Sequence, residues 1–296
     1  MSAERPALGR FGVAPAVVAV MWKREMLRYA RDRSQLFGAV SRTVLWLLIL
    51  GFGLGAALRE IEGYTYAQYI LPGVITLNVL FASLQSAVAI VWDREVGLLR
   101  EVMVSPAPIL SVTLGKLLGG ATIAVVQGSI PLLAAPFIGV PLTVVSVLSA
   151  WVVIFFMGLT LTALGVILAS RLKTFEGFGA ISNGVIQPLY FLSGSIFPLR
   201  GVIGGVGFLQ IPEHLRDELR RLGIYAIGGG WFVELPIWIQ VLVYANPVSY
   251  QLDLMRYVLL GFQQLPMLAN VLVTFGLPFL AALIASLAMS RMMKQR

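Results

Sequence analysis

The sequence predicts an all-α integral membrane protein with six transmembrane helices. An amphipathic helix is expected at the amino-terminal membrane interface, and re-entrant or outer-face helices between spans five and six. Three observations lead to this prediction. The 296-residue chain is 58% hydrophobic and only 12% charged, whereas soluble domains are about 25% charged. Its mean hydropathy is +0.87, and long apolar stretches recur along it. A soluble fold of this length could not bury so much apolar surface.

The apolar stretches define the spans, because crossing the hydrocarbon core of a bilayer takes roughly 20 apolar residues in a helix. A sixth stretch, Gly177–Phe197, is also apolar, but Gly184, Pro188 and Gly194 are expected to break its helix. The five clear stretches are Phe37–Leu58, Tyr69–Trp92, Leu110–Val140, Val144–Ser170 and Ala269–Ser290.

The segment 198–245 does not continue this pattern. It begins with several glycines, contains a charged stretch around His214, and ends in an apolar stretch, Trp231–Tyr244, that is too short to span. Irregular backbone is tolerated at membrane depth only where neighbouring protein satisfies its polar groups. The sequence therefore predicts an extended outer or re-entrant segment.

Basic residues predict the orientation, because cytoplasmic loops carry the excess of Lys and Arg. With six spans both termini lie on one side, and most of the 22 Lys and Arg residues fall on that side. We therefore expect a multi-pass protein of the inner or plasma membrane with both termini cytoplasmic. Residues 1–36 form a cytoplasmic segment and residues 37–296 the six-span domain. Anionic membrane lipids account for the net charge of +8 without nucleic acid.

The stretch 15–33 predicts the interfacial helix. Trp22 belongs to an apolar face, whereas Arg24, Arg28 and Arg31 share another face at helical spacing. A helix of this kind lies in the headgroup plane, where it contacts membrane lipids. A docking role toward a partner is compatible with that placement.

Residue types exclude several kinds of chemistry. Without cysteine the chain has no disulfide, thiolate metal site or cysteine nucleophile. Its single histidine, His214, cannot build a multi-histidine metal site. No Gly-x-x-x-x-Gly-Lys-Ser/Thr loop occurs, so the chain does not bind ATP phosphates in the P-loop manner. We expect no catalytic residue, no metal and no cofactor on this chain.

Ionisable residues are scarce in the predicted spans. Arg42 lies near one end of a span, where it is expected to snorkel toward the headgroups. The spacing of Asp253 and Arg256 permits a helical ion pair near the outer surface, with a structural role. Ion-coupled transporters normally need intramembrane carboxylates or histidines, so the composition of the spans argues against ion coupling.

The loop between the second and third spans predicts a short helix over residues 93–105. Leu98 and Val102 share an apolar side with acidic residues around it, and Pro106 and Pro108 end the helix. Such a helix, joined to two spans, can transmit force from a cytoplasmic partner into the membrane. From the residues alone, an ordinary amphipathic connector is the more common outcome.

Three motifs, in this order, resemble those of the type-2 permease family of ABC exporters. They are the loop stretch Arg94–Pro106 with Gly115-Lys116, the Ser-Gly-x-x-Phe-Pro stretch Ser193–Pro198, and the Asn-Pro-x-x-Tyr stretch Asn246–Arg256 with its Asp and Arg. The resemblance covers most of the chain, from about Val18 onward. The segment 198–245 is longer than in many members. The outer gate and the substrate of those members therefore cannot simply be assigned to this chain.

The resemblance implies a half-transporter. Two membrane subunits pair, here as a homodimer, and each receives a separate ABC ATPase subunit that binds ATP and Mg. ATP-driven alternating access would move a hydrophobic or amphipathic substrate outward, such as a drug, a lipid or a lipid-linked glycan. The coupling helix would present Asp93, Arg94, Glu95, Gly97, Leu98, Leu99, Arg100 and Glu101 to the ATPase. The outer re-entrant gate would contain Pro188, Gly194, Phe197, Pro198, Asn246 and Pro247.

Polar side chains inside the spans are candidates for the substrate pathway. These are Asn78 and Gln85 on one face of the second span, Gln127 in the third, and Asn183 and Gln187 in the fifth. Hydrogen bonding between helices, worth ~0.6–2 kcal/mol per contact, is the alternative role. Our hypothesis is that Asn78, Gln85 and Gln187 line the dimer seam.

Other classes of function stay open on the sequence alone. An ion-coupled secondary transporter is disfavoured by the shortage of intramembrane carboxylates. A membrane-embedded lipid-modifying enzyme is disfavoured because no acid–base set is clustered in the sequence. A structural assembly factor without transport activity is the third alternative.

Overall fold

The computed structural model describes residues 12–55, 61, 63–97, 107–172, 174–196, 202–203, 231–232 and 237–294. Within these ranges the α-helices are α1 Pro15–Arg31, α2 Arg33–Trp46, α3 Tyr66–Glu95, α4 Ile109–Ala134, α5 Val144–Arg171, α6 Phe175–Leu192, α7 Ile237–Ala245, α8 Pro247–Leu260 and α9 Met267–Lys294. A π-helix, Leu47–Leu54, continues α2, and a 3-10 helix, Ala135–Ile138, continues α4. Two short strands, β1 Val202–Ile203 and β2 Trp231–Phe232, pair antiparallel, with Val202 opposite Phe232.

Five helical stretches in this part of the chain are long and apolar enough to cross a membrane. They agree in order with the first four predicted spans and the last one. They are Arg33–Leu54, Tyr66–Glu95, Ile109–Ile138, Val144–Arg171 and Met267–Met292.

The predicted fifth span corresponds to α6, which is not among these five. Its 18 residues extend about 27 Å by the rise of an α-helix, against a hydrocarbon core of about 30 Å. Asn183 and Gln187 lower its hydropathy further. The six-span count therefore stays a prediction.

The sequence predicted that Gly184, Pro188 and Gly194 break the helix of this sixth stretch, and for the first two positions this prediction is wrong. The helix α6 runs uninterrupted through Gly184 and Pro188 and ends at Leu192. Pro188 lies on the exposed side of α6. The chain turns only at Gly194, whose φ of 79° falls in the left-handed region that favours glycine.

The helix α3 forms the centre of the bundle and packs against α4 and α5, while α9 packs on α5. Residues along its length, such as Ile70, Val74 and Ile90, are almost fully enclosed. Small residues bring the helices close together: a Cβ built on Gly165 would lie 2.6 Å from the Cβ of Ala87. Helices in membranes associate largely through such close packing, because lipid is as apolar as the side chains.

The helix α1 lies against α4. Its buried residues are Met21, Glu25 and Tyr29. A Cβ built on Gly115 would lie 2.5 Å from the Cβ of Met21, and one on Gly119 would lie 2.7 Å from the Cβ of Glu25. Two glycines one turn apart on α4 therefore allow backbone contact between these helices. The predicted amphipathic helix is present, with one face docked onto protein.

Candidate functional site

Charged side chains meet where α1 crosses the end of α3 and the start of α4; we call this the inner end of the bundle. The Lys116 ammonium is 2% exposed and donates to Glu25 Oε1 and to Asp93 Oδ2, each at 3.2 Å. Both carboxylates are also buried. One lysine of α4 therefore bridges an acid of α1 and an acid of α3.

Two arginines of α1 complete this group. Arg24 Nη2 lies 2.9 Å from Asp93 Oδ1, and Arg28 Nη2 lies 2.5 Å from Glu25 Oε2. Because buried charges are tolerated only when paired and hydrogen-bonded, three cations and two carboxylates hold three helices in one arrangement. We refer to Glu25, Asp93, Lys116, Arg24 and Arg28 as the inner ion cluster.

The last turn of α3 also contacts the start of α6. Arg94 Nη1 donates to the carbonyl of Leu172 at 2.8 Å, and Glu95 Oε1 accepts from the backbone N–H of Phe175 at 3.0 Å. The predicted coupling residues Asp93, Arg94 and Glu95 are thus engaged within the chain. Gly97, with φ of 83°, follows the end of α3, and the other predicted coupling residues, Leu98, Leu99, Arg100 and Glu101, lie outside the described residues.

The predicted polar residues of the second and third spans make contacts in two separate places. Gln127 Nε2 donates to Gln85 Oε1 at 3.3 Å, and both lie between α3 and α4. Tyr29 of α1 lies near Gln127, and burial raises the pKa of its hydroxyl. Asn78 instead faces α2, where its Nδ2 donates to Thr43 Oγ1 at 2.9 Å.

Arg42 does not extend toward the headgroups as expected. Its Nε and Nη2 donate to Asn78 Oδ1 at 3.0 and 2.8 Å. Its guanidinium carbon lies 4.2 Å from the centroid of the Phe81 ring, a favourable cation–π distance. The prediction of snorkelling is wrong because α3 supplies both an acceptor and an aromatic face within reach.

Asn183 and Gln187 lie apart from these contacts. Both are on the exposed side of α6, where Gln187 Nε2 donates to Asn183 Oδ1 at 3.4 Å. Asn78 is fully buried. Within one chain the structure therefore does not bring Asn78, Gln85 and Gln187 to a common surface.

A second buried group of charges lies at the opposite, outer end of the bundle. Asp253 and Arg256 of α8 form the expected ion pair at 3.5 Å, but both side chains are 0% exposed and not at the surface. Arg256 Nη2 donates to Tyr69 Oη at 3.0 Å and to the carbonyl of Gly194 at 2.9 Å. The pair therefore joins α8 to α3 and to the turn after α6.

The carboxylate of Asp253 organises the connection between α8 and α9. It accepts from the backbone N–H groups of Gln264 and Leu265, each at 2.9 Å, and from Asn270 Nδ2 at 2.8 Å. Four donors, counting Arg256, thus converge on one buried carboxylate. We refer to Asp253, Arg256 and these partners as the outer ion cluster.

Of the predicted gate residues, Gly194 contacts the outer ion cluster through its carbonyl, and Asn246 and Pro247 begin α8. Asn246 caps α8 by accepting from the Val248 N–H at 3.0 Å and donates to the carbonyl of Leu189 in α6 at 2.6 Å. Pro247 occupies the first helical position of α8, where its missing N–H leaves no bond unmade. Phe197 and Pro198 lie outside the described residues.

Comparison with known sequences decides the family. A sequence model described as ABC-2 type transporter matches residues 16–210, more than half of the chain. The chain belongs to the ABC-2 type transporter family.

The chain is similar to a bacterial transport permease and to two nodulation proteins. Inner membrane transport permease YadH of Escherichia coli (strain K12) is 26% identical over 279 residues, which cover 88% of this chain and 90% of YadH. Nodulation protein J of Azorhizobium caulinodans is 27% identical over 188 residues, 61% of this chain and 69% of that protein. Nodulation protein J of Rhizobium leguminosarum bv. trifolii is 22% identical over 244 residues, 81% and 80% of the two chains. The chain is accordingly a multi-pass transport permease.

Sequence reasoning missed two members of the inner ion cluster of this ABC-2 permease. Glu25 is the only acid within α1. A single acid on a basic helix could have indicated a buried ion pair. Lys116 was noted only as part of a motif. Its burial depends on the approach of α1 to Gly115 and Gly119, which no local pattern indicates.

Proposed function

We propose that this ABC-2 permease is the transmembrane subunit of an ATP-driven exporter. Two copies pair, each binds a separate ABC ATPase subunit carrying ATP and Mg, and alternating access moves a hydrophobic or amphipathic substrate outward. The substrate class we propose is a drug, a lipid or a lipid-linked glycan. The inner end of the bundle faces the cytoplasm, as the excess of basic residues there suggests.

The inner ion cluster is the observation that carries this proposal. It connects α1, the end of α3 and the start of α4, and the predicted coupling helix, residues 93–105, is the segment expected to contact the ATPase. A displacement of that segment by a closing ATPase would be transferred to three helices at once, because Lys116 of α4 binds both Glu25 of α1 and Asp93 of α3. A single flexible loop would lose such a displacement.

The exposed side of α6 supports pairing of two copies. Asn183 and Gln187 are exposed in the single chain, and polar groups facing lipid are costly. Contact with a second copy would remove Asn183 and Gln187 from lipid. In this arrangement α6 contributes Gln187 to the dimer seam, while Asn78 and Gln85 act from inside each copy.

The test is co-purification of the tagged chain from its native membrane in mild detergent, followed by an ATPase assay. Glu95 is a poor site for a charge reversal, because it also accepts from the Phe175 N–H. Glu101→Arg is therefore the test variant. Glu62→Arg is the matched control, because the sequence places Glu62 in the loop on the other side of the membrane.

We expect an ATPase subunit in a one-to-one ratio with the wild type and with Glu62→Arg, and its loss or uncoupling with Glu101→Arg. Absence of any ATPase from the wild-type preparation would contradict the proposal. Transport that continues after ATP depletion but stops without an ion gradient would indicate an ion-coupled transporter. Turnover of a lipid by the purified chain alone would indicate an enzyme.

A further inference from the structure

Arg42 is a cation inside a membrane-spanning helix. It lies in the stretch Arg33–Leu54, which is long and apolar enough to cross a membrane, about 14 Å from its start by the rise of an α-helix. Charged side chains at such a depth are costly and are usually paired or functional. The contacts of Arg42 therefore need an explanation.

The partners of Arg42 in the described part of the chain are neutral. Nε and Nη2 both donate to one oxygen, Asn78 Oδ1, and Phe81 offers only a ring face. The side chain is partly exposed, which leaves part of the guanidinium accessible. Asn78 and Phe81 thus fix the direction of this cation without neutralising it.

The described spanning stretches supply no carboxylate beyond the inner end of α3. Of the five spanning stretches, only Tyr66–Glu95 contains acidic residues, Asp93 and Glu95, and both lie at its inner end. The one acid of α6, Glu176, is in its first turn. A second copy of the chain has the same spans, so pairing would not bring a carboxylate to Arg42 from them.

Polar residues lead from the inner end toward Arg42. Gln85 lies on α3 about 10 Å nearer the inner end than Asn78 by helical rise, where it contacts Gln127 of α4. The Arg42 guanidinium sits one turn from Trp46, and the Trp46 ring lies 6.2 Å from that of Tyr190 in α6. Among Gln85, Asn78 and Arg42 only Arg42 is charged, so an anionic headgroup that reaches these side chains would bind there.

We infer that Arg42 binds the anionic group of the exported molecule, so that the substrate is an amphiphile with a phosphate, sulfate or carboxylate group. A guanidinium suits this role because its planar donors match such oxyanions and its charge persists when it is partly buried. Asn78 and Phe81 act as positioning residues for it. This inference rests on the proposed export function.

The experiment uses the purified chain with any co-purified ATPase, in neutral detergent. The probe is dodecyl phosphate carrying a diazirine next to the headgroup, and photolabelled peptides are identified by mass spectrometry. Arg42→Gln removes the charge and Arg42→Lys keeps it. Arg171→Gln is the matched control, because Arg171 is an exposed arginine at the end of α5. Dodecylphosphocholine with the same diazirine is the zwitterionic control probe.

We expect labelling of the α2 and α3 peptides around Arg42 to fall about tenfold or more in Arg42→Gln, since charged hydrogen bonds are lost. Arg171→Gln should label like the wild type, Arg42→Lys should retain most labelling, and labelling by the zwitterionic probe should not depend on residue 42. Equal labelling of Arg42→Gln and the wild type by dodecyl phosphate overturns the inference.

Two further arms separate the sources of the anion. If inorganic phosphate alone competes with the labelling, Arg42 is a site for a free anion. If phosphatidylglycerol competes and dodecyl phosphate does not stimulate ATP hydrolysis, Arg42 binds a resident lipid. Either result overturns the substrate assignment. If no ATPase accompanies the wild type while labelling still follows the charge at residue 42, the export proposal fails and anion binding by Arg42 stands.

Discussion

Replacing Lys116 by methionine tests the inner ion cluster most directly. Methionine keeps most of the side-chain length and removes the ammonium that lies 3.2 Å from both Glu25 Oε1 and Asp93 Oδ2. The two buried carboxylates then keep only the arginines of α1. The variant therefore isolates the bridge between α4 and the other two helices.

The expected magnitude follows from burial. Removing one partner of a buried ion pair destabilises by about 3–5 kcal/mol. Arg24 and Arg28 still compensate the two acids, with Arg24 at 2.9 Å from Asp93, so we expect the lower end, about 3 kcal/mol. At about 2–4 °C per kcal/mol for a chain of comparable size, the midpoint of thermal unfolding should fall by about 6–12 °C.

The assay is thermal unfolding of the purified chain in mild detergent, followed by tryptophan fluorescence. Lys23→Met is the matched control, because Lys23 is exposed on α1, and it should change stability by less than about 0.5 kcal/mol. Glu25→Gln removes the acid of α1 that Lys116 binds, so the double variant Lys116→Met, Glu25→Gln should lose less stability than the sum of the two single losses. Equal midpoints for Lys116→Met and Lys23→Met, or strictly additive losses in the double variant, would refute the reasoning.

Three further predictions concern the packing of α1, the outer ion cluster and the start of α2. Gly115→Ala places a Cβ 2.5 Å from a side chain of α1, so α1 should be displaced and trypsin should cleave its basic residues faster; an unchanged cleavage rate would contradict this. Asp253→Asn leaves the enclosed Arg256 without a carboxylate and should cost about 3–5 kcal/mol in thermal unfolding, partly restored by adding Arg256→Met; no restoration would argue against the ion pair. Asp32→Ala removes the cap of α2 and should cost about 1 kcal/mol at pH 7. Hydrogen bonds, chiefly from the Ser34 side chain, lower the pKa of Asp32, so this contribution is present above about pH 4 and should vanish as the pH falls through the lowered pKa; a difference from wild type that persists at lower pH would contradict it.

The sequence predicted the parts of the fold that depend on apolar length. The bounds of the predicted second span, Tyr69–Trp92, differ from the observed Tyr66–Glu95 by three residues at each end, because a lipid-crossing helix needs a continuous apolar run. The amphipathic helix α1 was predicted from a different local feature, the helical periodicity of its residue pattern. The position of the turn after α6 was not predicted correctly, because α6 continues through Pro188 to Leu192.

The contacts of individual polar residues could not be predicted. Gln85 and Gln127 were expected as pathway candidates on separate spans, and only the crossing of α3 and α4 brings them together. The burial of Arg256 likewise depends on Tyr69, which is 187 residues away in the chain. A sequence pattern carries information about neighbours along a helix, not about which helix lies opposite.

The outer ion cluster has a consequence for biosynthesis. Arg256 binds Tyr69 from a position 187 residues later in the chain, and at about 5–20 residues per second a ribosome needs about 10–40 s to make that interval. During this time α3 is already synthesised while its arginine partner is still missing. The outer end of the bundle therefore stays open until α8 is made, and nascent chains stalled before α8 should present an open outer end to membrane quality-control proteases.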